Sequence, residues 1–229
     1  MKDKITEKKV GCKIFCRQPI KTKILTPEDD IIDIVLSYTE GYRKPGDVIV
    51  MSESPVAITQ GRAINEKDIK IGFLARILWR GVKKVPYGVG LRSKTSMQCA
   101  IDECGVIRII IASICGAIGK LFGIRGLFYK IAGMQAALID AAHTSPVPPY
   151  EGTVIKGPIH TNEICEEIYT KTGNDAVIMD INDIGGSWVI GKSAGIDAPL
   201  LEEIMNDNPQ GQQMELTPLC LVWEKKCSD

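Results

Sequence analysis

The stretch AVIMD at residues 176–180 is apolar up to its last residue, Asp180. Such a short apolar run predicts a buried β-strand. The segment before it, residues 161–172, has the spacing of a helix, with Thr161 placed as its N-cap and Gly173 placed to end it. The sequence therefore predicts a helix followed directly by a buried strand, and the rest of the fold is predicted outward from this pair.

The same criteria, applied outward along the chain, predict a mixture of strands and helices. Strands are predicted at residues 13–16, 19–25, 47–52, 106–112, 134–140, 151–156, 188–190 and 218–223. Helices are predicted after Thr26 up to Gly41, and at residues 68–80, 95–104 and 199–205. Residues 54–62 read as a loop. Because strands and helices alternate only in part, the predicted fold class is α+β rather than a doubly wound α/β fold.

Some of these predictions rest on particular signals. Thr26 followed by Pro27 marks a helix start, and Thr95 with Gln98 predicts a capping box. In the helix at 68–80 we expect Ile69, Phe73 and Ile77 to face inward. Residues 1–18 are interpreted as a polar lead-in and residues 19–229 as one domain.

Charge and composition narrow the function classes. The 28 basic and 28 acidic residues cancel, which argues against a nucleic-acid-binding protein. The longest apolar stretch, residues 106–122, is too short and interrupted to span a membrane, and the first residues do not resemble a secretory signal. We therefore expect a cytoplasmic protein that binds neither nucleic acid nor membranes.

The chain has eight cysteines, which we expect to be free thiols in a cytoplasmic protein. The pairs Cys12 with Cys16 and Cys99 with Cys104 lack the spacing of common zinc sites. A thiol–metal site built on these four residues stays open as a minor alternative.

Two aspartates at predicted strand ends are the first candidates for chemistry. Asp140 closes MQAALID and Asp180 closes AVIMD. A strand fixes the position of a carboxylate at its end, and Mg²⁺ is often held by one or two such carboxylates with water and phosphate oxygens. The alternative is that each aspartate caps the turn that follows its strand.

Other polar residues lie beside these aspartates or in loops. Asn182 and Asp183 precede the pair Gly185-Gly186, a pattern that allows backbone amides to approach an anion and that also fits a tight turn. Arg62 follows Gly61 in a QGR sequence and could bind a carboxylate or phosphate, or lie in solvent. His143 lies three residues after Asp140.

Five segments, taken in order, resemble the coenzyme F-420 gamma-glutamyl ligase family. They are PIKT at residues 19–22, GDVIVMSE at 46–53, QGR at 60–62, LID at 138–140 and MDIND at 179–183. Members of that family are homodimers with an α+β fold. The resemblance implies a ligase that joins L-glutamate to a deazaflavin acceptor through an acyl phosphate, with GTP and a divalent metal, Mg²⁺ or Mn²⁺.

The resemblance also assigns roles to individual residues. By position, Asp140 and Asp180 correspond to metal ligands. Residues expected to contact nucleotide or substrate are Pro19, Ile20, Lys21, Thr22, Glu53, Ser54, Arg62, His143, Asn182 and Asp183.

Three positions depart from the family pattern. Ile58 stands where the family has a lysine, His143 where it has an asparagine, and Ile181 where it has a threonine. A lost lysine removes a charge-assisted contact worth roughly 1.5–3 kcal/mol. A member of the fold that binds nucleotide or metal without ligase turnover is therefore the alternative function.

Overall fold

The computed structural model describes residues 5–82, 90–124, 126–144, 147–182, 186–211 and 215–225. The chain forms two compact units. Unit 1 combines Met1–Gly61 with Pro158–Asp229, and unit 2 is Arg62–Gly157. Unit 1 is thus assembled from both ends of the sequence, and unit 2 lies between them in the chain.

The regular elements confirm the α+β class. The strands are β1 (Thr6–Val10), β2 (Lys13–Ile20), β3 (Val48–Ser52), β4 (Ala63–Asn65), β5 (Thr153–Ile155), β6 (Ala176–Asn182), β7 (Gly186–Lys192) and β8 (Leu219–Glu224). The α-helices are α1 (Ile31–Thr39), α2 (Glu53–Thr59), α3 (Phe73–Leu78), α4 (Lys94–Cys104), α5 (Val106–Leu121), α6 (Leu127–Ala132), α7 (Met134–Ala137), α8 (Thr161–Thr172) and α9 (Ala198–Met205). Short 3₁₀ turns cover Trp79–Gly81 and Ala142–Thr144.

Unit 1 is built on one six-stranded sheet with the order β1-β2-β8-β3-β6-β7. The pair β3–β6 is parallel, and the other four pairs are antiparallel. Residues 6–20, which the sequence suggested were mostly a polar lead-in, form β1 and β2 of this sheet. Strand β1 pairs with β2, and β2 pairs in turn with β8.

Both faces of this sheet are buried by helices of the same unit. On one face, Ile49, Met51 and Ile178 pack with apolar residues of α1 and α8. On the other face, Val50 and Val177 pack with apolar residues of α9. This explains why the central strands are apolar at nearly every position, as expected for strands covered on both sides.

Unit 2 is mostly helical. Its two strands, β4 and β5, pair antiparallel. Its core is formed by apolar residues of α3 to α7 together with Val154 of β5. Among the described residues no single helix is long and apolar enough to cross a membrane, although α4 and α5 would pass that test as a pair bent by 118°.

Many predicted elements are confirmed. The strands at 47–52, 151–156, 188–190 and 218–223 correspond to β3, β5, β7 and β8, and the helices at 95–104, 161–172 and 199–205 correspond to α4, α8 and α9. AVIMD is indeed a buried strand, but β6 continues two residues past Asp180 to Asn182.

The largest errors fall in unit 2. Residues 106–112, predicted as a central strand, are the first part of helix α5. The run of β-branched residues favours a strand by composition, but Ile109 and Ala112 are buried at a spacing of three, which is helical. Gly116 and Gly119 then let the helix pack closely on α6, where an added Cβ would lie 3.0 Å from Phe128 and Leu127 atoms.

Residues 134–140 are also not a strand. Met134–Ala137 form the short helix α7, and only Asp140 takes part in an isolated bridge, with Ile155. Ala136, Leu138 and Ile139 are thus buried in a helix and the turn after it, and a short apolar run does not distinguish this from a buried strand.

Several predicted element boundaries and helix caps also differ from those in the structure. The strand predicted at 19–25 ends at Ile20. Helix α1 begins at Ile31 with Asp30 as its N-cap, because Thr26 and Asp29 bond to each other in a preceding turn. Residues 54–62, predicted as a loop, mostly form helix α2.

The helix predicted at 68–80 is shortened to α3, and Phe73 and Ile77 are exposed while Ala75 is buried. The N-cap of α4 is Ser93, which forms the capping box with Ser96 in place of Thr95 with Gln98. The N-cap position of α8 is occupied by His160 in a left-handed conformation, one residue before Thr161.

Candidate functional site

In unit 1 the predicted site segments meet at one end of the sheet. Ser52, the last residue of β3, is the partner of Met179 in the parallel strand β6. Glu53, the first residue of α2, and Asp180 of β6 directly follow these partners, so they lie at the same level at this end of the sheet. The carboxyl ends of parallel strands are the usual position of ligand sites in open sheets.

The PIKT segment reaches the same end through β8. Ile20 at the end of β2 pairs with Leu219 at the start of β8, and Leu219 also pairs with Met51 of β3. Beyond the strand, the Thr22 backbone N–H donates to the Leu216 carbonyl at 2.9 Å. The turn after β2 is thereby fixed beside the ends of β3 and β6.

The side chains at this end differ in exposure. Glu53 and Thr22 are buried, at 8% and 6% exposure, whereas Lys21 is exposed. Ser54 and Asp180 are half-buried. The arrangement therefore offers carboxylate, hydroxyl and ammonium groups within one unit.

Asn182 lies at the end of β6 and pairs with Gly186 at the start of β7. Asp183 and the glycine before Gly186 lie outside the described residues.

In unit 2, Arg62 is held by two groups that the sequence did not single out. Its Nη2 atom lies 2.6 Å from Oε2 of Glu103, and its Nε donates to the Gly157 carbonyl at 2.6 Å. The other oxygen of Glu103 accepts from Nζ of Lys156 at 2.8 Å. The three side chains are only 13–17% exposed.

The backbone brings Arg62 and Lys156 together. Ala63 of β4 pairs with Ile155 of β5, and the Lys156 N–H donates to the Arg62 carbonyl at 3.0 Å. Two cations and one carboxylate leave a formal charge of +1 on this cluster, which we call the Arg62 cluster (Arg62, Glu103 and Lys156).

The electrostatics of the Arg62 cluster fix its ionised form. Burial acts to raise the pKa of Glu103, but hydrogen bonds from Lys156 and Arg62 outweigh it and the pKa lies below its usual value. Glu103 is therefore a carboxylate that orients both cations.

Asp140 is also anchored to β5. Its backbone exchanges both hydrogen bonds with Ile155, at 2.8 and 3.2 Å. Successive side chains of a strand point to opposite faces, so Asp140 shares a face with Ile155, and Lys156 points to the other face. His143 is exposed in the 3₁₀ turn that follows Asp140.

The predicted site residues are therefore divided between the units. Unit 1 brings together a group of eight: Pro19, Ile20, Lys21, Thr22, Glu53, Ser54, Asp180 and Asn182. Unit 2 contains Arg62, Asp140 and His143. The sequence missed Glu103 and Lys156, because their proximity to Arg62 depends on the β4–β5 pairing and on the end of α4.

The departures from the family pattern are placed as follows. Ile58, at the position of the family lysine, is buried in α2. Ile181 is half-buried in β6. Neither position carries a charge.

Within the described ranges no group of three or more histidine, cysteine or acidic side chains could hold a metal ion. The seven cysteines of that part of the chain are free thiols, so the thiol–metal alternative has no support there. Burial raises the pKa of Cys99 to about 11 and that of Cys165 to about 12, which keeps both thiols protonated at neutral pH.

The family model described as F420-0:gamma-glutamyl ligase matches residues 19–188, from the PIKT segment to Trp188. The chain belongs to this family. The match includes every segment on which the resemblance was based, and membership supports a gamma-glutamyl ligase role in coenzyme F-420 biosynthesis. A search of curated proteins finds no match.

Proposed function

We propose that this family member joins L-glutamate to a coenzyme F-420-0-like acceptor, using GTP and a divalent cation, Mg²⁺ or Mn²⁺. The γ-phosphoryl group of GTP would pass to the acceptor carboxylate, giving GDP and an acyl phosphate. The glutamate amine would then attack the acyl carbon, lose a proton and displace phosphate, leaving an amide. Holding the reactants in register is the main contribution that protein residues make to such a transfer.

The observation that carries the proposal is the convergence of PIKT, Glu53-Ser54 and Asp180 at one end of the unit 1 sheet. These segments are far apart in the sequence, and the pairings Ile20–Leu219, Met51–Leu219 and Ser52–Met179 bring them to one level. In this arrangement Lys21 and Thr22 would contact phosphate oxygens, and the buried Glu53 would orient them.

Asp180 in unit 1 and Asp140 in unit 2 are each proposed as a metal ligand. The donor chemistry fits a hard cation, since Mg²⁺ is commonly held by one or two carboxylates with the remaining positions taken by water and phosphate. The cation would offset phosphate charge during transfer.

The Arg62 cluster would bind an anionic group of the acceptor or of L-glutamate. Glu103 holds the guanidinium and the Lys156 ammonium side by side, and the cluster keeps a net positive charge. A pre-positioned arginine recognises carboxylate and phosphate through paired N–H groups. Lys156 adds a cation in a member of the family that has Ile58 in place of a lysine.

The test measures phosphate release with GTP, Mg²⁺, L-glutamate and an F-420-0-like acceptor. We expect release to require both acceptor and glutamate. Asp180→Asn should reduce kcat by at least about 100-fold if it holds the cation, and Asp140→Asn is measured separately because it lies in the other unit. Matched controls are Asp33→Asn in unit 1 and Asp68→Asn in unit 2, both exposed aspartates that should retain activity. Full activity in the Asp140→Asn, Asp180→Asn double variant would exclude the proposed metal role.

A second candidate is a binding protein of the same fold without ligase turnover. The specific observation in its favour is the burial of Ile58, which leaves α2 without the family cation. Calorimetry with GTP and Mg²⁺ combined with the phosphate assay separates the two: metal-dependent GTP binding without phosphate release would establish the second.

A further inference from the structure

Unit 1 has a cavity of about 290 Å³ between strand β7 and helix α9. The residues that line it come from the start of β7 and from the C-terminal part of α9 with the residue after it: Gly186, Ser187, Trp188, Glu202, Glu203 and Asn206. Strand β7 is the last strand of the six-stranded sheet on this side, so the cavity lies along an edge of the sheet. We call it the β7–α9 cavity.

Trp188 is the aromatic residue of the β7–α9 cavity, and it is 52% exposed. Its indole ring lies directly against Gly186, since a Cβ atom added to that glycine would clash with three atoms of the ring. A larger residue at position 186 would therefore displace the indole. An aromatic ring that is supported by backbone and still half exposed is suited to stacking against a planar ligand.

Trp188 also lies beside the proposed metal ligand Asp180. The two residues are opposite each other in the antiparallel pair β6–β7. Residues in such a pair project from the same face of the sheet, with Cβ atoms about 4.5–5.5 Å apart. A ligand whose phosphate lies at the strand ends near Asp180 therefore has the rest of its structure within reach of Trp188.

Two carboxylates supply hydrogen-bond acceptors to the β7–α9 cavity. Glu202 is oriented by the Val189 backbone N–H, which donates to its Oε1 atom at 2.9 Å. Glu203, the next residue of α9, is exposed. Carboxylates repel the phosphate of a ligand and attract groups that carry N–H donors. The cavity is therefore suited to an uncharged, donor-bearing part of a ligand and not to its phosphate.

We propose that the β7–α9 cavity binds a planar heteroaromatic ring with ring N–H donors, stacked on Trp188 and hydrogen-bonded to Glu203. This inference rests on the proposed function, because the guanine of GTP and the ring system of the deazaflavin acceptor both have this chemistry. The phosphate of the same ligand lies outside the cavity, at the strand ends beside Asp180. Trp188 and Glu203 thus determine which ring the protein accepts.

A cationic ligand is the main alternative occupant of the cavity. An exposed indole and two carboxylates also attract an ammonium or guanidinium group. The position of Trp188 beside Asp180 favours the uncharged ring, since a divalent cation held at Asp180 repels a second cation close to it.

The test measures the dissociation constants of GTP with Mg²⁺ and of an F-420-0-like acceptor separately, by calorimetry and by quenching of tryptophan fluorescence. Trp188→Ala should weaken the binding of one ligand by about 10-fold or more and leave that of the other within about twofold. The affected ligand identifies the source of the ring. Trp188→Phe keeps a stacking ring, so it should retain binding within about threefold of the wild type and lose the fluorescence quenching.

Tyr42→Ala is the matched control, since it removes an aromatic side chain of similar exposure, 50%, from the same unit. It should bind both ligands as the wild type does. Glu203→Gln should weaken the same ligand as Trp188→Ala, because the ring N–H donors lose a charged acceptor. Trp188 and Glu203 are exposed, so these variants should keep the circular dichroism spectrum of the wild type.

Two results would overturn the inference and leave the proposed function standing. One is a wild-type chain that binds GTP or the acceptor with dissociation constants that neither Trp188→Ala nor Glu203→Gln changes. The other is binding of L-arginine amide that Trp188→Ala abolishes while the binding of GTP and acceptor is unchanged, which would assign the cavity to a cation. A wild-type chain that binds neither GTP nor the acceptor would overturn both the inference and the proposed function.

Discussion

The two units differ in how far they bury their apolar residues. In unit 1, both faces of the sheet are covered by helices of the same unit, so that Ile178 and Val177 are buried on opposite sides. In unit 2, α5 buries one side and exposes the other. An apolar run in the sequence therefore does not show by itself that both sides of the element are covered within its own unit.

The largest change in stability is expected from a substitution in the core of unit 1. Ile178→Ala removes a fully buried side chain from the centre of the sheet and should lower the free energy of unfolding by about 2–5 kcal/mol. Urea denaturation followed by circular dichroism measures the change. Ile24→Ala, at a partly exposed position of the same unit, is the control and should cost less than about 1 kcal/mol. Equal costs for the two variants would contradict the description of the sheet as covered on both faces.

In unit 2 the largest polar effect should come from Glu103. Glu103→Gln leaves Arg62 and Lys156 without their carboxylate and should cost about 3 kcal/mol of stability at neutral pH. Glu66→Gln, at an exposed position of the same unit, serves as the control. A cost as small as that of an exposed glutamate would show that the Arg62 cluster is not rigid.

A comparison of the wild type with Glu103→Gln also tests the pKa of Glu103. The pKa in the folded state lies below the usual value, so the ionised carboxylate stabilises the fold above the pKa of the unfolded chain. This contribution is lost as the pH falls through the folded pKa. The stability difference between wild type and Glu103→Gln should therefore be full at pH 7 and shrink below about pH 4.

The smallest effects are expected at helix caps. Asp30→Ala in unit 1 and Ser93→Ala in unit 2 each remove a side-chain acceptor at a helix start and should cost about 1 kcal/mol. Thr95→Ala, at the position that the sequence favoured for the cap of α4, should cost less than Ser93→Ala. Thermal denaturation of the three variants checks the order, and the reverse order would place the cap at Thr95.

Unit 1 was the more predictable of the two, for a physical reason. Its strands β3, β6 and β8 are short apolar runs bounded by turn residues, and that pattern is typical of a β-strand. The run of isoleucines at the start of α5 has the composition of a strand, and only its three- and four-residue spacing over a longer stretch identifies a helix. The predicted helix N-caps were wrong where a nearby residue, such as Asp30 or Ser93, provides an equivalent side-chain hydrogen-bond acceptor.

The candidate site was predictable only in part. The motifs located Asp180, Glu53 and the PIKT segment, because their order along the chain is characteristic. Glu103 and Lys156 carry no local signal, since their role depends on contact with Arg62 from two other elements. Whether the aspartates bind a metal stays a prediction.

The place of β8 in the sheet has a consequence for the order of synthesis. β8 lies between β2 and β3, yet residues 53–218 must be translated after β3 before β8 begins. Until then the facing edges of β2 and β3 have no strand between them, and open strand edges are prone to pair with other chains. The ribosome therefore releases the central strand of this sheet last, and the emerging chain must keep two unpaired edges apart while all of unit 2 is made.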